Sequence, residues 1–126
     1  DGVPTNLPPI LKAHRIQQKV SSVGFDWKKH EDVLQKLDEE IFEFKEELNK
    51  KNKDNLEKEF GDILFSLINL SRHFKINPYD ALEQTNIKFS KRFKYIEQKT
   101  KKLKKQINDL NLKEIDILWQ QSKNEI

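Results

Sequence analysis

Two pairs of acids stand at helical spacing in this chain: Glu40 with Glu43, and Glu59 with Asp62. Residues three apart project from neighbouring points on one side of an α-helix. The stretch from Lys36 to Asp62, KLDEEIFEFKEELNKKNKDNLEKEFGD, sets a polar, turning segment between the pairs. Two antiparallel helices joined there can bring all four carboxylates to one place. Carboxylates so gathered repel one another unless a cation lies between them, and ligands that are all oxygen suit a hard ion, Mg²⁺ or Mn²⁺. The competing reading is a solvated surface, because the chain is 36% charged and most helical glutamates face water.

Helix phase bears on both readings. Turning about 100° per residue from Leu37, the residues Val33, Leu37, Ile41, Phe44 and Leu48 lie within roughly 40° of one line, which reads as the core stripe. Glu40 and Glu43 share one shoulder of that stripe, with Lys36 and Glu47 between them, whereas Glu39 falls nearly opposite. In the second helix the stripe is Leu56, Phe60, Ile63, Leu67, Leu70 and Phe74, and Glu59 and Asp62 again share one shoulder with Asn55, Ser66 and Asn69. Carboxylates at the edge of a buried seam face the next helix and cannot relax freely into water. The phase therefore narrows the candidate metal ligands to Glu40, Glu43, Glu59 and Asp62 and sets Glu39 and Glu46 aside as solvent-facing, while the solvated-surface reading stays open.

The remaining elements must position these four. A chain of 126 residues makes one domain with a modest core, and a hydrophobic content of 35% suggests apolar surface shared with a partner subunit. Without cysteine there are no disulfides, thiolate nucleophiles or sulfur-bound zinc sites, and a reducing cytoplasm is the expected compartment. No apolar run approaches the ~20 residues that cross a bilayer. Residues 1–9 read as a linker-like leading segment, and the chain as part of a longer protein. The net charge of +3 conceals an asymmetry: Glu31 to Glu47 is mostly acidic, while Lys88 to Lys105 carries nine Lys or Arg residues and one Glu.

The pattern is all-α, a bundle of four to five antiparallel helices. The first is expected from Pro9 to Val23, stopped by Gly24 in the left-handed conformation. Phe25 and Trp27 are expected to anchor the following corner in the core. Helices follow over His30–Asn49 and Asp54–Lys75, and the second of these is apolar on more than one side, as a central or interfacial helix would be. Gly61 inside it costs roughly 1 kcal/mol against Ala, which suggests a close helix approach. Asn77 and Pro78 open a helix to about Lys102, on which Lys88, Arg92, Tyr95 and Lys99 share a shoulder. A mobile connection is expected over 103–110. The last helix is capped by Asn111 with Glu114 as its box partner and Leu110 with Ile115 as a staple. Trp119 and Lys123 stand one turn apart on it; Trp119 reads either as core or as a surface for stacking a base with Lys123 near phosphate.

Taken together these residues resemble a known family. Glu39-Glu40-Ile-Phe-Glu43 followed by Glu59-Phe-Gly-Asp62 is similar to the signature of the all-α nucleoside triphosphate pyrophosphohydrolases, specifically MazG. The segments GVPTNLPPILKAHRIQQKVSSVGFDW, KEFGDILFSLINLSRHF, NPYDALEQTNIKFSKRF and LWQQSK extend the likeness over nearly the whole chain, in the manner of the carboxy-terminal domain of two-domain MazG proteins. The resemblance implies Mg²⁺-dependent hydrolysis of nucleoside triphosphates to monophosphate and pyrophosphate, by a homodimer, with Mn²⁺ as an alternative ion. It implies metal ligation by Glu40, Glu43, Glu59 and Asp62. Lys36, Lys88 and Arg92 match triphosphate contacts, and Trp119 and Lys123 match the Trp-x-x-x-Lys that closes over the nucleotide. Asn55 and Lys58 stand where the family often carries Lys and Glu.

Two rival classes make other demands. A nucleic-acid-binding module using the Lys88–Lys105 face would bind with steep salt dependence and no need for metal. A helical dimerisation module would carry the acidic site idle. The expected partners are a nucleoside triphosphate and a second copy of the chain, with neither membrane nor nucleic acid.

Overall fold

Left-handed residues and prolines mark where each helix stops and starts. In the computed structural model, which describes residues 2–125, the helices are α1 (Pro9–Ser22), α2 (His30–Lys50), α3 (Lys53–His73), α4 (Pro78–Lys102) and α5 (Leu112–Glu125), with a short 3-10 helix at Ile107–Asp109. No strand occurs among the described residues, so the all-α expectation holds. Asp1, part of the leading segment read from the sequence, lies outside the described residues. Gly24 ends α1 at φ 93°, with its N–H bonded to Ser21 O and that of Phe25 to Val20 O. The same pair of bonds closes α3 and α4, but there Lys75 and Lys104 hold the left-handed position, at φ 56° and 57°. Lysine accepts that strain because two otherwise unpaired helical carbonyls are satisfied in return. The reciprocal Asn111–Glu114 cap of α5 is present, its bonds 3.0 and 2.8 Å long.

The chain divides into two compact units at Pro78. In the first, α3 packs against both α1 and α2. The loop expected between α2 and α3 shrinks to Lys51, left-handed at φ 56°, and Asn52, whose Oδ1 caps Asn55 N–H at 3.3 Å. This tight antiparallel hairpin fixes the register of the two acidic pairs. In the second unit the buried residues are Ile96, Thr100, Leu110 and Ser122. Residues 103–110 hold a 3-10 helix closed by reciprocal Gln106–Asp109 bonds.

The core of the first unit departs from the predicted stripes. Val33 is buried as expected, but Ile41, Leu48, Phe60, Leu67 and Phe74 are exposed. Buried instead are Glu40 on α2, Ser66 and Asn69 on α3, and Ile68 on the side of α3 away from its predicted stripe. The predicted stripes stay half-covered at Leu37, Phe44, Leu56, Ile63 and Leu70, with the Phe44 and Phe60 rings 6.1 Å apart, while the deepest burial is shifted toward the polar shoulders. Gly61 is not explained by a close approach, because a Cβ placed there meets nothing within 4 Å.

The corner after α1 also differs from expectation. Phe25 is 73% exposed and Trp27 39%; the anchor between them is Asp26. Its carboxylate accepts from Ser21 Oγ (2.7 Å), Arg72 Nη2 (2.8 Å), His73 Nε2 (2.8 Å) and the Trp27 N–H (2.9 Å). Burial acts to raise its pKa, but the hydrogen bonds from Ser21, Arg72 and His73 outweigh it and hold the group well below the usual carboxylate range. Gln17 Nε2 adds a second tie from α1, donating to Phe65 O on α3 at 2.9 Å.

A carboxylate with a depressed pKa contributes stability that is present above its unfolded pKa and lost as the pH falls through the folded one. Asp26→Asn is therefore expected to lower the unfolding free energy by about 2 kcal/mol at neutral pH. In urea titrations at a series of pH values that deficit should shrink toward zero on strong acidification. A deficit independent of pH would contradict the account.

Candidate active site

Because the deepest burial on α2 and α3 is shifted toward their polar shoulders, the seam between them is lined with acids. Glu40, Glu43 and Glu59 each offer an oxygen within 4.8 Å of the others, the arrangement of a site that could hold a metal ion. Glu40 is the deepest, only 6% exposed, while Glu43 lies at the surface and Glu59 between. One oxygen of Glu40 and one of Glu59 are enclosed and have no hydrogen-bond partner. Enclosed carboxylate oxygens without a donor are costly. The site's chemistry therefore fits a cation, whose bonds would satisfy both oxygens at once.

Asp62, the fourth acid selected from the sequence, lies outside the converging three. It lines a cavity of about 120 Å³ together with Trp27, Val33, Lys36, Glu40, Phe65, Ser66 and Asn69. Its charge still reaches the cluster. Burial is the largest influence raising the pKa of Glu59, followed by the negative charges of Glu43, Asp62, Glu40 and Glu47. Lys36 meets the cluster directly, its Nζ 2.9 Å from Glu40 Oε1 and 3.8 Å from Glu39 Oε2. The hydrogen bond to Glu40 raises the lysine's pKa against the opposing effect of burial. Glu39 is exposed, as its phase predicted.

Glu47 belongs to this seam although spacing did not select it. Its side chain is largely enclosed, one oxygen contacts Lys50 Nζ at 3.4 Å, and the other is enclosed without a partner. Phase puts it on the same shoulder as Glu40, which is the signal for it in the sequence, but Glu47 lies outside the two i, i+3 pairs that spacing selects.

The other predicted basic residues, Lys88, Arg92 and Lys123, lie with Trp119 in the second unit. Arg92 stands over the Trp119 ring, with its Cζ 5.5 Å from the centroid, and Phe89 packs on the same indole at 5.0 Å. Arg92 Nε is enclosed and has no partner. Trp119 of α5 is thus half-buried, packed against Phe89 and Arg92 of α4, and both Lys88 and Lys123 are exposed. Lys99 lies over Tyr95 at 5.5 Å, one turn along the same shoulder.

Comparison with known proteins places this geometry. A family model described as the MazG nucleotide pyrophosphohydrolase domain matches residues 28–108, a span that takes in both acidic pairs, Lys36, Lys88 and Arg92 and stops short of Trp119 and Lys123. The chain is 41% identical over 117 residues to the nucleoside triphosphate pyrophosphohydrolase/pyrophosphatase MazG of Thermotoga maritima, covering 93% of this chain and 45% of that protein. It is 35% identical over 127 residues to the nucleoside triphosphate pyrophosphohydrolase of Escherichia coli K12, covering 99% and 48%. A shorter match, 48% identical over 69 residues, links it to the uncharacterized protein YabN of Bacillus subtilis, covering 55% of this chain and 14% of that protein. The chain spans a little under half the length of the first two relatives. With the family model covering most of its length and the acidic pairs of that span facing one seam, the chain belongs to the MazG nucleotide pyrophosphohydrolase domain family.

Proposed function

We propose that the chain hydrolyses nucleoside triphosphates to nucleoside monophosphate and pyrophosphate with Mg²⁺ held in the α2–α3 seam. The observation that carries this reading is the buried Glu40 carboxylate, with one oxygen enclosed and unpaired beside Glu43 and Glu59. Glu40, Glu43, Glu59 and Asp62 would hold the metal. When bound, a divalent ion supplies charge neutralisation at phosphate oxygens and a more acidic water. In the reaction a water oxygen bonds to the α-phosphorus, and the bond from that phosphorus to the bridging oxygen breaks to release pyrophosphate.

The chain's own residues carry the remaining tasks. Lys36, at the rim of the seam, is placed to offset phosphate charge. The family pattern assigns Lys88, Arg92 and Lys123 to the triphosphate and Trp119 to the nucleotide. In support, Arg92 is already oriented on the Trp119 ring with Nε free of any partner. Glu39 contacts Lys36 at 3.8 Å on the surface, and the proposal assigns it no step. Glu40→Gln and Asp62→Ala are each expected to lower pyrophosphate release by about 10³-fold or more, the loss typical of a group that stabilises charge in the transition state. Full activity in either variant, assayed with mixed triphosphates and Mg²⁺, would refute the proposal.

The raised pKa of Glu59 gives a second test. The ionised form is disfavoured in the metal-free fold, so stability is gained as the pH falls through the folded pKa. Glu59→Gln should therefore raise the melting temperature of the metal-free protein at neutral pH. The advantage should fade on acidification toward the ordinary carboxylate pKa, where Glu59 is protonated in both states. Added Mg²⁺ should stabilise the parent chain and leave the variant little changed. Melting curves across pH, with and without Mg²⁺, check both signs.

We also infer a homodimer. Phe42, Phe60, Phe65 and Leu67 are all more than 40% exposed on α2 and α3, and so many large apolar side chains left in water favour cover by a second copy. Light scattering should return twice the 15.1 kDa of one chain; a monomer at micromolar concentration would contradict it.

A further inference from the structure

The acidic seam holds its own cations. Among the described residues two lysines pair with its carboxylates, Lys36 with Glu40 at one end and Lys50 with Glu47 at the other. The two differ in what they accomplish. Glu47 and Lys50 make a longer contact, 3.4 Å, with the ammonium 65% exposed. Lys36 lies 2.9 Å from a carboxylate that is itself only 8% exposed, so it is the close counter-charge of the deepest acid in the seam. The Lys36 side chain is 39% exposed, enough for its head group to swing outward on a flexible stem without moving the backbone.

The position of Lys36 bears on how a metal ion would enter. A buried carboxylate left without a counter-charge is strongly destabilising. Without Lys36, Glu40 would have neither an ammonium on one oxygen nor a donor on the other, since its second oxygen is already enclosed and unpartnered. A divalent ion at Glu40, Glu43 and Glu59 would bring a second positive charge to the carboxylate that Lys36 already neutralises. Ammonium and metal ion then repel at short range in a partly desolvated site, where such repulsion is poorly screened.

We infer that Lys36 is the counter-cation of the seam while no divalent ion is bound, and that it gives up Glu40 when one enters. The inference rests on the metal reading above and adds to it a role for Lys36 before any nucleotide arrives. The carboxylate is neutralised at every stage, first by the ammonium and then by the metal. The released ammonium is delivered to the rim of the cavity it shares with Glu40 and Asp62, where an anion can take it. The alternative is that Lys36 remains on Glu40 as a fixed supporting partner that orients the ligand, as second-layer groups do at many metal sites.

A thermodynamic cycle with the metal alone separates the two, with no nucleotide and no activity measurement. Without metal, Lys36→Met should melt roughly 4 °C below the parent chain, because Glu40 loses its counter-charge. With saturating Mg²⁺ the two chains should melt within about 1 °C of each other, and calorimetry should show Mg²⁺ bound about tenfold more tightly by the variant. Lys36→Arg, which keeps the charge and grips a carboxylate with two donors, should retain parental stability without metal and bind Mg²⁺ more weakly than the parent. If Lys36→Met folds only when Mg²⁺ is added, that rescue is the same result in stronger form. A melting deficit that persists undiminished at saturating Mg²⁺ would overturn the exchange, and so would parental Mg²⁺ affinity in Lys36→Arg. If Mg²⁺ shifts the melting of neither the parent chain nor Lys36→Met, the metal reading itself has failed, and the exchange falls with it.

Discussion

The structure of the first unit turns on one electrostatic constraint: acids of two helices share a single seam. Glu40, Glu43, Glu47 and Glu59 are brought together by the α2–α3 hairpin, where burial first and the neighbouring negative charges second push the pKa of Glu59 upward. Apolar contact along the hairpin, such as Phe44 against Phe60 at 6.1 Å, does not offset that repulsion between charges. The seam is held by the two-residue connection at Lys51–Asn52, which leaves the helices no freedom to slide, and by Lys36 and Lys50, which neutralise its two ends. The apolar residues displaced from the seam must go elsewhere. Ile41, Leu48, Phe60 and Leu67 are accordingly left exposed.

The rest of the first unit follows the same preference for polar ties. Its corner is fastened by a carboxylate with four donors rather than by an aromatic plug. Arg72 spans from Asp26 to Asn69 Oδ1, 2.8 Å from each, and so couples the corner to the wall of the cavity that Glu40 and Asp62 also line. Trp27, freed from the core, borders that cavity. A network of this kind specifies one arrangement of its members because each lost bond leaves a buried group unsatisfied. It gives the seam a fixed frame that a small hydrophobic core would not supply.

The second unit presents its chemistry differently. Arg92, Trp119 and Phe89 form a stacked cluster with the guanidinium held over the indole and one nitrogen left without a partner. Stacking on the indole restricts the rotamers of the arginine and fixes the plane of its guanidinium. Lys88 and Lys123 remain solvated, as flexible point charges commonly are.

Much of this was legible in the amino-acid sequence, because the signals involved are local. Pro9, Gly24, Pro78 and Asn111 act within a turn of where they stand, and they place the helix ends to within about two residues. The i, i+3 spacing of Glu40 with Glu43 and Glu59 with Asp62 needs only helical geometry to imply convergence. What the sequence could not decide is which side of an amphipathic helix faces inward when two sides compete. Apolar patterning chose the stripe through Leu37 and Phe60, whereas the tertiary structure shifted the deepest burial on α2 and α3 toward their acidic shoulders. That shift depends on the tight hairpin and on packing of α3 against α1, neither of which is a property of one helix. The same limit hid Glu47, whose oxygen becomes enclosed only once α3 lies against it. It also hid Asp26, an unremarkable corner residue until Arg72 and His73, nearly fifty positions away, arrive beside it. Local spacing determined which acids could act together, and long-range packing decided how deeply each is buried and which cation it meets.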